Sequence, residues 1–397
     1  MLFAHFADCH IGGWQDSKLK ELGLQTFKLA IQTCIDRNID FLIISGDLFN
    51  TAIPQIDYIK EVASEFAKLK DKSIPIYLIA GSHDYSPSGK TMLDVLEKAK
   101  LCVNVTKFDN DKLQFTIDPK TQTKITGLYG KRGGLEKNDY QTLDFSHLEN
   151  EIGFKIFMFH TAIQEFNPPE LQDMESLSAA SLPKNFNYYA GGHIHYIFNK
   201  EYGNGKLTFP GALFPNNFKE LEDYKHGAFY LVDENVNTEH VQLPIKEVMD
   251  LHFNAEGKDA EQLTQEILNS LNNFEDKIVM LRVKGTLNSG KPSDVNFKLI
   301  LQKLEPAYTV LKNTSKLKSK KFEKLELKQG NVKEIETQLI QEATVTVEIP
   351  EFDQKELTLT LLNVLDKEKA EGEKNADFEK RVFSDVVDQL KLKEMFE

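Results

Sequence analysis

Three cysteines in 397 residues, Cys9, Cys34 and Cys102, are too few and too scattered for a disulfide framework or a paired-thiolate zinc site. Cysteine use this sparse favours a reducing compartment. No apolar run approaches the roughly 18 residues of a membrane span, and the opening stretch from Met1 to Ala7 is stopped by Asp8 before a secretory apolar core can form. A soluble protein of the cytoplasm or nucleoid is expected, with no membrane contact. Bulk positive charge is also missing: the net charge of −13 argues against a chain that coats nucleic acid by general attraction. With 41% hydrophobic and 27% charged residues the composition excludes disordered and collagen-like classes, and the length predicts two or three domains.

The negative charge is unevenly spread. From Asn331 to Glu397 nine Lys+Arg face 17 Asp+Glu, so this stretch carries most of the excess. Lys312 to Lys328, by contrast, holds seven lysines against Glu323 and Glu326. Such a run taken alone reads equally well as a solvated face or as a focused anion-binding patch.

Up to about residue 243, short apolar runs ended by Asp, Gly or His alternate with helical patterns. Leu2–Ala7, Phe41–Ser45, Ile74–Ala80, Lys155–His160 and Phe186–Gly191 are expected strands; Lys20–Arg37, Ile56–Lys70 and Thr91–Lys100 are expected helices. Further strand-like segments at Leu113–Ile117, Lys124–Tyr129 and Gly227–Val232 point to mixed rather than purely parallel sheets. Residues 244–330 read as a small α+β module, with helices over Ala260–Leu271 and Val295–Leu304 and alternation over Lys277–Leu287 and Lys320–Lys328. Residues 331–397 begin as a linker with a strand-like Thr344–Ile349. Two amphipathic helices follow Pro350, one presenting Leu357, Leu361, Val364 and Leu365, the other Phe378, Val382, Val386 and Leu390. Short helices without a core of their own must bury such faces on a partner or on the body of the protein.

Five of the ten histidines and three aspartates stand at the ends of expected strands, as Asp8-Cys9-His10, Gly46-Asp47, Gly81-Ser82-His83-Asp84, His160, and Gly191-Gly192-His193-Ile194-His195. Residues two apart in a strand share a face, so Asp8 with His10, and His193 with His195, are expected to enter one cavity. Each element alone is weak, and a lone Asp-x-His is more often structural. Their joint occurrence in chain order makes coincidence remote. Mixed Asp/His ligands favour manganese, iron or zinc over calcium or magnesium, and this many ligands suits two ions clamping a phosphoryl group. His5, inside the first strand, reads as a packed histidine rather than a ligand.

The five-part pattern D-x-H, GD, G-x-HD, H, GHxH resembles the calcineurin-like metallophosphoesterase superfamily, and within it the SbcD or "meiotic recombination eleven" branch of DNA double-strand break repair nucleases. Gly46-Asp47-Leu48-Phe49-Asn50 and Phe209-Pro210-Gly211-Ala212 are similar to that branch's segments. The resemblance implies a four-layer α/β/β/α sandwich over residues 1–243, a DNA-binding capping domain over 244–330, and a C-terminal helix pair in 331–397. It implies Asp8, His10, Asp47 and His195 on one Mn2+ and Asp47, Ser82, His160 and His193 on a second, with His83 as catalytic histidine and Asp84 orienting it. Ser82 replaces the motif's asparagine, and Asn50 stands where some members carry a histidine that handles the DNA strand. Asn50, Lys131, Arg132, Lys316, Lys318, Lys320 and Lys321 are the expected DNA contacts, with Lys120, Lys124 and Lys137 adding to the basic surface. The implied partners are DNA ends, an SbcC / Rad-fifty-type ABC ATPase at the C-terminal helices, and a second copy of the chain through residues 56–70 and 91–100. The alternatives are a phosphatase or cyclic-nucleotide phosphodiesterase, or a non-catalytic DNA-end scaffold.

Overall fold

Alternating side chains along the strands build the layers. In the computed structural model, which describes residues 1–86, 91–168, 171, 174–320, 354–367 and 375–390, β1 (Leu2–Phe6) turns Ala4 and Phe6 one way and Phe3 and His5 the other. The remaining elements of the first part are α1 (Ser17–Asp36), β2 (Phe41–Ser45), α2 (Ile56–Asp71), β3 (Ile76–Ile79), α3 (Met92–Lys98), β4 (Val103–Asn104), β5 (Phe108–Asp109), β6 (Lys112–Leu113), β7 (Thr116–Ile117), β8 (Lys124–Leu128), α4 (Lys137–Thr142), α5 (Ser146–Glu149) and β9 (Lys155–His160). There follow β10 (Tyr188–Gly192), β11 (Ile197–Tyr202), β12 (Gly205–Pro210), α6 (Phe218–Tyr224), β13 (Gly227–Asp233) and β14 (Thr238–Leu243).

Two six-stranded mixed sheets result, ordered β14-β13-β1-β2-β3-β4 and β11-β12-β10-β9-β8-β7. Phe3, Phe41, Ile43 and Tyr77 of the first meet Ile125, Ile156, Met158 and Tyr188 of the second in a shared apolar layer. On the far side of the first sheet, Phe27 and Ile31 of α1, Phe66 and Leu69 of α2 and Leu93 and Leu96 of α3 cover Phe6, Leu42 and Ile44. Tyr140, Phe145 and Leu148 of the α4–α5 region cover Phe157 and Phe159 of the second sheet. The order is α/β/β/α, as the resemblance implies. One expected strand is divided: Lys112–Leu113 pairs back on β5 as a hairpin, while Thr116–Ile117 joins β8 of the second sheet, because the chain changes sheets at Gln114–Phe115. α1 begins three residues earlier than its apolar period indicates, since the Asp16 carboxylate accepts from the Lys18 and Leu19 amides and caps it.

β15 (Val248–Asn254), α7 (Ala260–Ser270), β16 (Ile278–Leu287), α8 (Phe297–Lys303) and β17 (Thr309–Ser319) form a smaller, all-parallel three-stranded sheet under two helices. Ile278 and Met280 pack against Leu19, Leu22 and Leu221, which joins this module to the sandwich, and Thr309 donates to Asp16 across the same seam. β17 overlaps the start of the lysine run, a stretch with no expected strand; the alternation expected from Lys320 lies beyond it, with 321–328 outside the described residues, as is Thr344–Ile349.

Residues 320–397 form a separate unit. Within it the helices Gln354–Leu365 and Asn375–Gln389 pack on each other, burying Leu357, Val364 and Val387. Leu362 and Leu365 are exposed, so Leu365 is not on the covered side that its spacing indicates. Among the described residues no helix is long and apolar enough to cross a membrane.

Candidate metal centre

The charged cluster forms just past the C-terminal ends of β1, β2, β9 and β10, where four of its members leave the strand conformation. Asp8, His10, Asp47 and His193 all have positive φ, at 50°, 41°, 52° and 93°. Such conformations cost non-glycine residues on the order of 1–3 kcal/mol each and persist where the surroundings over-determine them. Asp8 and His10 therefore converge because the loop turns them inward, and not because strand alternation places them on one face. Close backbone approach completes the floor: a Cβ on Gly81 would lie 2.2 Å from Asp47 Oδ1, and one on Gly46 2.3 Å from His160 Nδ1. Only glycine fits there.

Among the described residues three overlapping groups have ligand atoms within 4.8 Å of one another: Asp8 with His10 and His195, His10 with Asp47 and His83, and Asp8 with Asp47 and His160. His10 Nε2 stands 3.0 Å from His195 Nε2 and 3.6 Å from Asp47 Oδ2, and His195 Nε2 is 3.7 Å from Asp8 Oδ1. His160 Nε2 is 3.2 Å from Asp47 Oδ2 without a well-directed hydrogen bond, and its ring meets that of His193 at 5.2 Å between centroids.

Four of the histidines are held from behind by the same ring atom. Nδ1 of His195 bonds Glu220 Oε1 at 2.9 Å, that of His160 the Ser45 carbonyl at 2.8 Å, that of His10 Asn50 Oδ1 at 3.2 Å, and that of His83 the Asn50 carbonyl at 2.8 Å. A proton on Nδ1 leaves the Nε2 lone pair aimed at the centre, the arrangement in which imidazoles serve metals.

Electrostatics point the same way. Burial raises Asp8; it works against ionising Asp47 too, but His160, His10 and His83 hold that carboxylate well below its usual range. Burial pulls His160 down, yet Asp47 and Asp8 outweigh it and push the imidazole up to about 10; Asp8 and Glu220 likewise carry His195 up to about 9. Burial takes His193 down to about 3 and His10 well below its ordinary value. Two buried carboxylates thus demand positive charge, which protons on His160 and His195 stand in for. The convergent lone pairs, the orphaned His160 Nε2 and the carboxylate–imidazole donor set fit a divalent transition ion.

The family model of calcineurin-like phosphoesterases matches residues 1–196. The chain carries a calcineurin-like phosphoesterase domain. It is similar to the DNA double-strand break repair protein Mre11 of Methanococcus maripaludis, at 32% identity over 250 residues, covering 59% of this chain and 63% of that one. The protein of the same name from Methanocaldococcus jannaschii is 29% identical over 60% of this chain and 63% of its own length. That of Sulfolobus acidocaldarius is 27% identical over 72% of this chain and 76% of its own. The chain thus spans less than two thirds of the first two relatives. A dimetal phosphatase from Danio rerio aligns with a TM-score of 0.39 and 9% identity, over 61% of this chain and 99% of that one.

The remaining expected residues fall as follows. The His83 amide donates to Asp47 Oδ1 at 2.8 Å, and its ring stands at 4.8 Å from that of His10. Asp84 does not orient His83: its carboxylate accepts from the amides of Leu48, Phe49 and Gly81, and burial beside Asp47 raises it to about 7. It ties the Asp47 loop to the Gly81 loop. Asn50, expected to meet DNA, holds His10 through its side-chain oxygen and His83 through its carbonyl. Ser82 is half-buried beside His83, its carbonyl facing Arg132 Nε at 3.4 Å. Lys131 is paired with Asp139 and lies over the Tyr129 ring, while Lys120, Lys124 and Lys137 face Asp40, Glu151 and Glu175. Lys316, Lys318 and Lys320 are exposed; Lys321 lies outside the described residues. Glu220 and Ser45 were missed. The capping pattern Asn217-x-x-Glu220, in which Asn217 accepts from the Glu220 amide, was the available signal for the former.

Proposed function

We propose that this protein is a manganese-dependent DNA exonuclease and endonuclease that processes double-strand break ends together with an ABC-type ATPase. The observation that carries the chemistry is the set of four histidines bonded outward through Nδ1, with Nε2 left to a centre containing Asp8 and Asp47. Asp8, His10, Asp47 and His195 would hold one Mn2+, and Asp47, Ser82, His160 and His193 the other. Such ions supply Lewis acidity to the phosphoryl group and to the attacking water. His83, tied through its amide to Asp47 and through Nδ1 to the Asn50 carbonyl, would face the phosphate with Nε2 and, as an imidazolium, give the leaving oxygen its proton as the P–O bond breaks. Glu220, Asn50 and the Ser45 carbonyl keep the other rings oriented.

Similarity to archaeal proteins named for double-strand break repair supports DNA as the substrate over a small phosphoester. Exposed Lys316 and Lys318 on the capping module, with Arg132 beside the centre, supply focused positive charge in an acidic chain. Exposed Ile56 at the start of α2 and Val95 on α3 suit the homodimer contact, and exposed Leu362 and Leu365 suit the ATPase contact.

The test incubates the purified full chain with labelled duplex and single-stranded DNA, with and without Mn2+, alongside bis(4-nitrophenyl) phosphate. Mn2+-dependent DNA cleavage, lost in Asp47→Ala, is the expected result. Hydrolysis of the small diester alone would move the reading to a phosphatase or phosphodiesterase. DNA-end binding with neither substrate cut would make the protein a scaffold.

A further inference from the structure

His5 is fully buried, is not among the candidate ligands, and sits three residues before Asp8 on the face of β1 that meets the second sheet. Its surroundings are mostly apolar, and burial lowers its imidazole to about 3, so the ring is neutral and offers one donor and one acceptor. Both nitrogens are used. Nε2 bonds Ser45 Oγ at 3.0 Å and Nδ1 bonds the Tyr188 hydroxyl at 3.0 Å; Thr208 Oγ1 lies 2.6 Å from that hydroxyl and 3.3 Å from Nδ1. One side chain thus clasps β1 and β2 of the first sheet to β10 and β12 of the second.

The place of this clasp matters because the candidate centre is divided between the sheets. Asp8, His10 and Asp47 leave the first sheet, and His160, His193 and His195 leave the second. Apolar packing between sheets supplies stability but tolerates small offsets, and repacked cores lose uniqueness before they lose stability. A directional hydrogen-bond network fixes the offset. Ser45 adds a second link, since it precedes Asp47 by two residues and its carbonyl receives His160 Nδ1 at 2.8 Å.

We propose that His5 is a positioning residue for the metal centre: its bonds to Ser45, Tyr188 and Thr208 set the offset between the two sheets and, through Ser45, the direction of the His160 ring. This inference rests on the reading of the Asp/His cluster as a metal centre. His5→Phe keeps a ring of similar size, removes both nitrogens, and leaves Tyr188 and Thr208 bonded to each other. It is expected to fold and melt as a single cooperative unit while binding Mn2+ about 10-fold more weakly, the lower end of the loss found for a group directly behind a ligand, because His5 reaches His160 through Ser45.

Binding isotherms of the full chain with Mn2+ alone, and the electron paramagnetic resonance signature of a spin-coupled ion pair, read this without reference to turnover. His5→Gln, which restores a donor and an acceptor, should recover most of the affinity, and Tyr188→Phe, which leaves the Ser45 bond, should lose less than His5→Phe. Should His5→Phe fail to fold, the same ordering of wild type, His5→Gln and Tyr188→Phe decides the matter. A lowered melting temperature with unchanged Mn2+ affinity and spectrum across these variants would overturn the proposal, leaving His5 a stability residue. A wild-type chain that binds no Mn2+ would instead overturn the metal-centre reading itself, and the two failures are told apart by the wild-type isotherm.

Discussion

Glu220 supports His195 from outside the motifs, so its loss should be felt at the metal rather than in the fold. Glu220→Ala is expected to weaken Mn2+ binding about 10- to 100-fold with the cooperative melt retained. An isotherm matching wild type would remove His195 from the ligand set. Asp47 stands between His10 and His160 and accepts from the His83 amide, so Asp47→Ala should abolish both Mn2+ pairing and cleavage, whereas His83→Ala should bind Mn2+ and lose turnover. Ser82 offers a shorter oxygen donor than the asparagine it replaces. Ser82→Asn should lower the Mn2+ concentration for half-maximal cleavage without changing DNA affinity, and superimposable titrations would show the serine to be no handicap.

The seven-residue helix α6 faces two ways. Glu220 bonds His195, while Glu222 forms a two-point contact with Arg282 of β16 at 2.6 Å and lies 3.4 Å from His252 of β15. Arg282 also covers the Phe218 ring at 4.8 Å, so α6 holds the three-stranded module against the sandwich. Solvent reaches this pair, which limits its worth to about 1 kcal/mol. The Arg282 hydrogen bonds hold the Glu222 carboxyl below its ordinary range. Its contribution is therefore present in full above the unfolded carboxylate value near 4.3 and is lost as pH falls through the folded value. Melts of wild type and Arg282→Ala should differ at pH 7 and draw together in acid. A gap that persists at low pH would assign the effect to packing on Phe218.

Across the whole molecule, an acidic protein binds DNA only if its positive charge is concentrated. The lysines at 120, 124, 131 and 137 are already committed to carboxylates, whereas among the described residues of the basic run Lys316 and Lys318 stand exposed on the edge strand of the three-stranded sheet. Neutralising Lys316, Lys318, Lys320 and Lys321 should weaken DNA binding and flatten its dependence on salt, since fewer counterions are released. An unchanged slope in a filter-binding or anisotropy titration would move the DNA track elsewhere. Removing residues 350–397 should leave cleavage of simple substrates intact and abolish binding of the ATPase. Co-purification of the truncated chain with that partner would refute the assignment.

The short apolar strands, the amphipathic helices and the order of Asp and His at strand ends were legible in the sequence because each depends on local periodicity or on residue type. Leu2–Phe6, Phe41–Ser45 and Lys155–His160 lie within or match their expected spans for that reason. β17 was hidden because its alternating lysines imitate a solvated charge run, and its strand conformation depends on pairing with β16. Asp84 carried a plausible role by its neighbourhood in sequence and Asn50 by resemblance, yet their contacts reach residues 33–40 positions away. Glu220 meets His195 across 25 residues and His5 meets Tyr188 across 183. Which side chains can bind a metal, and near which strands they stand, follows from residue type and local period alone. Which ring nitrogen faces the centre does not, because that is set by hydrogen bonds to groups brought close by the packing of two sheets, and no local period encodes a contact of that kind.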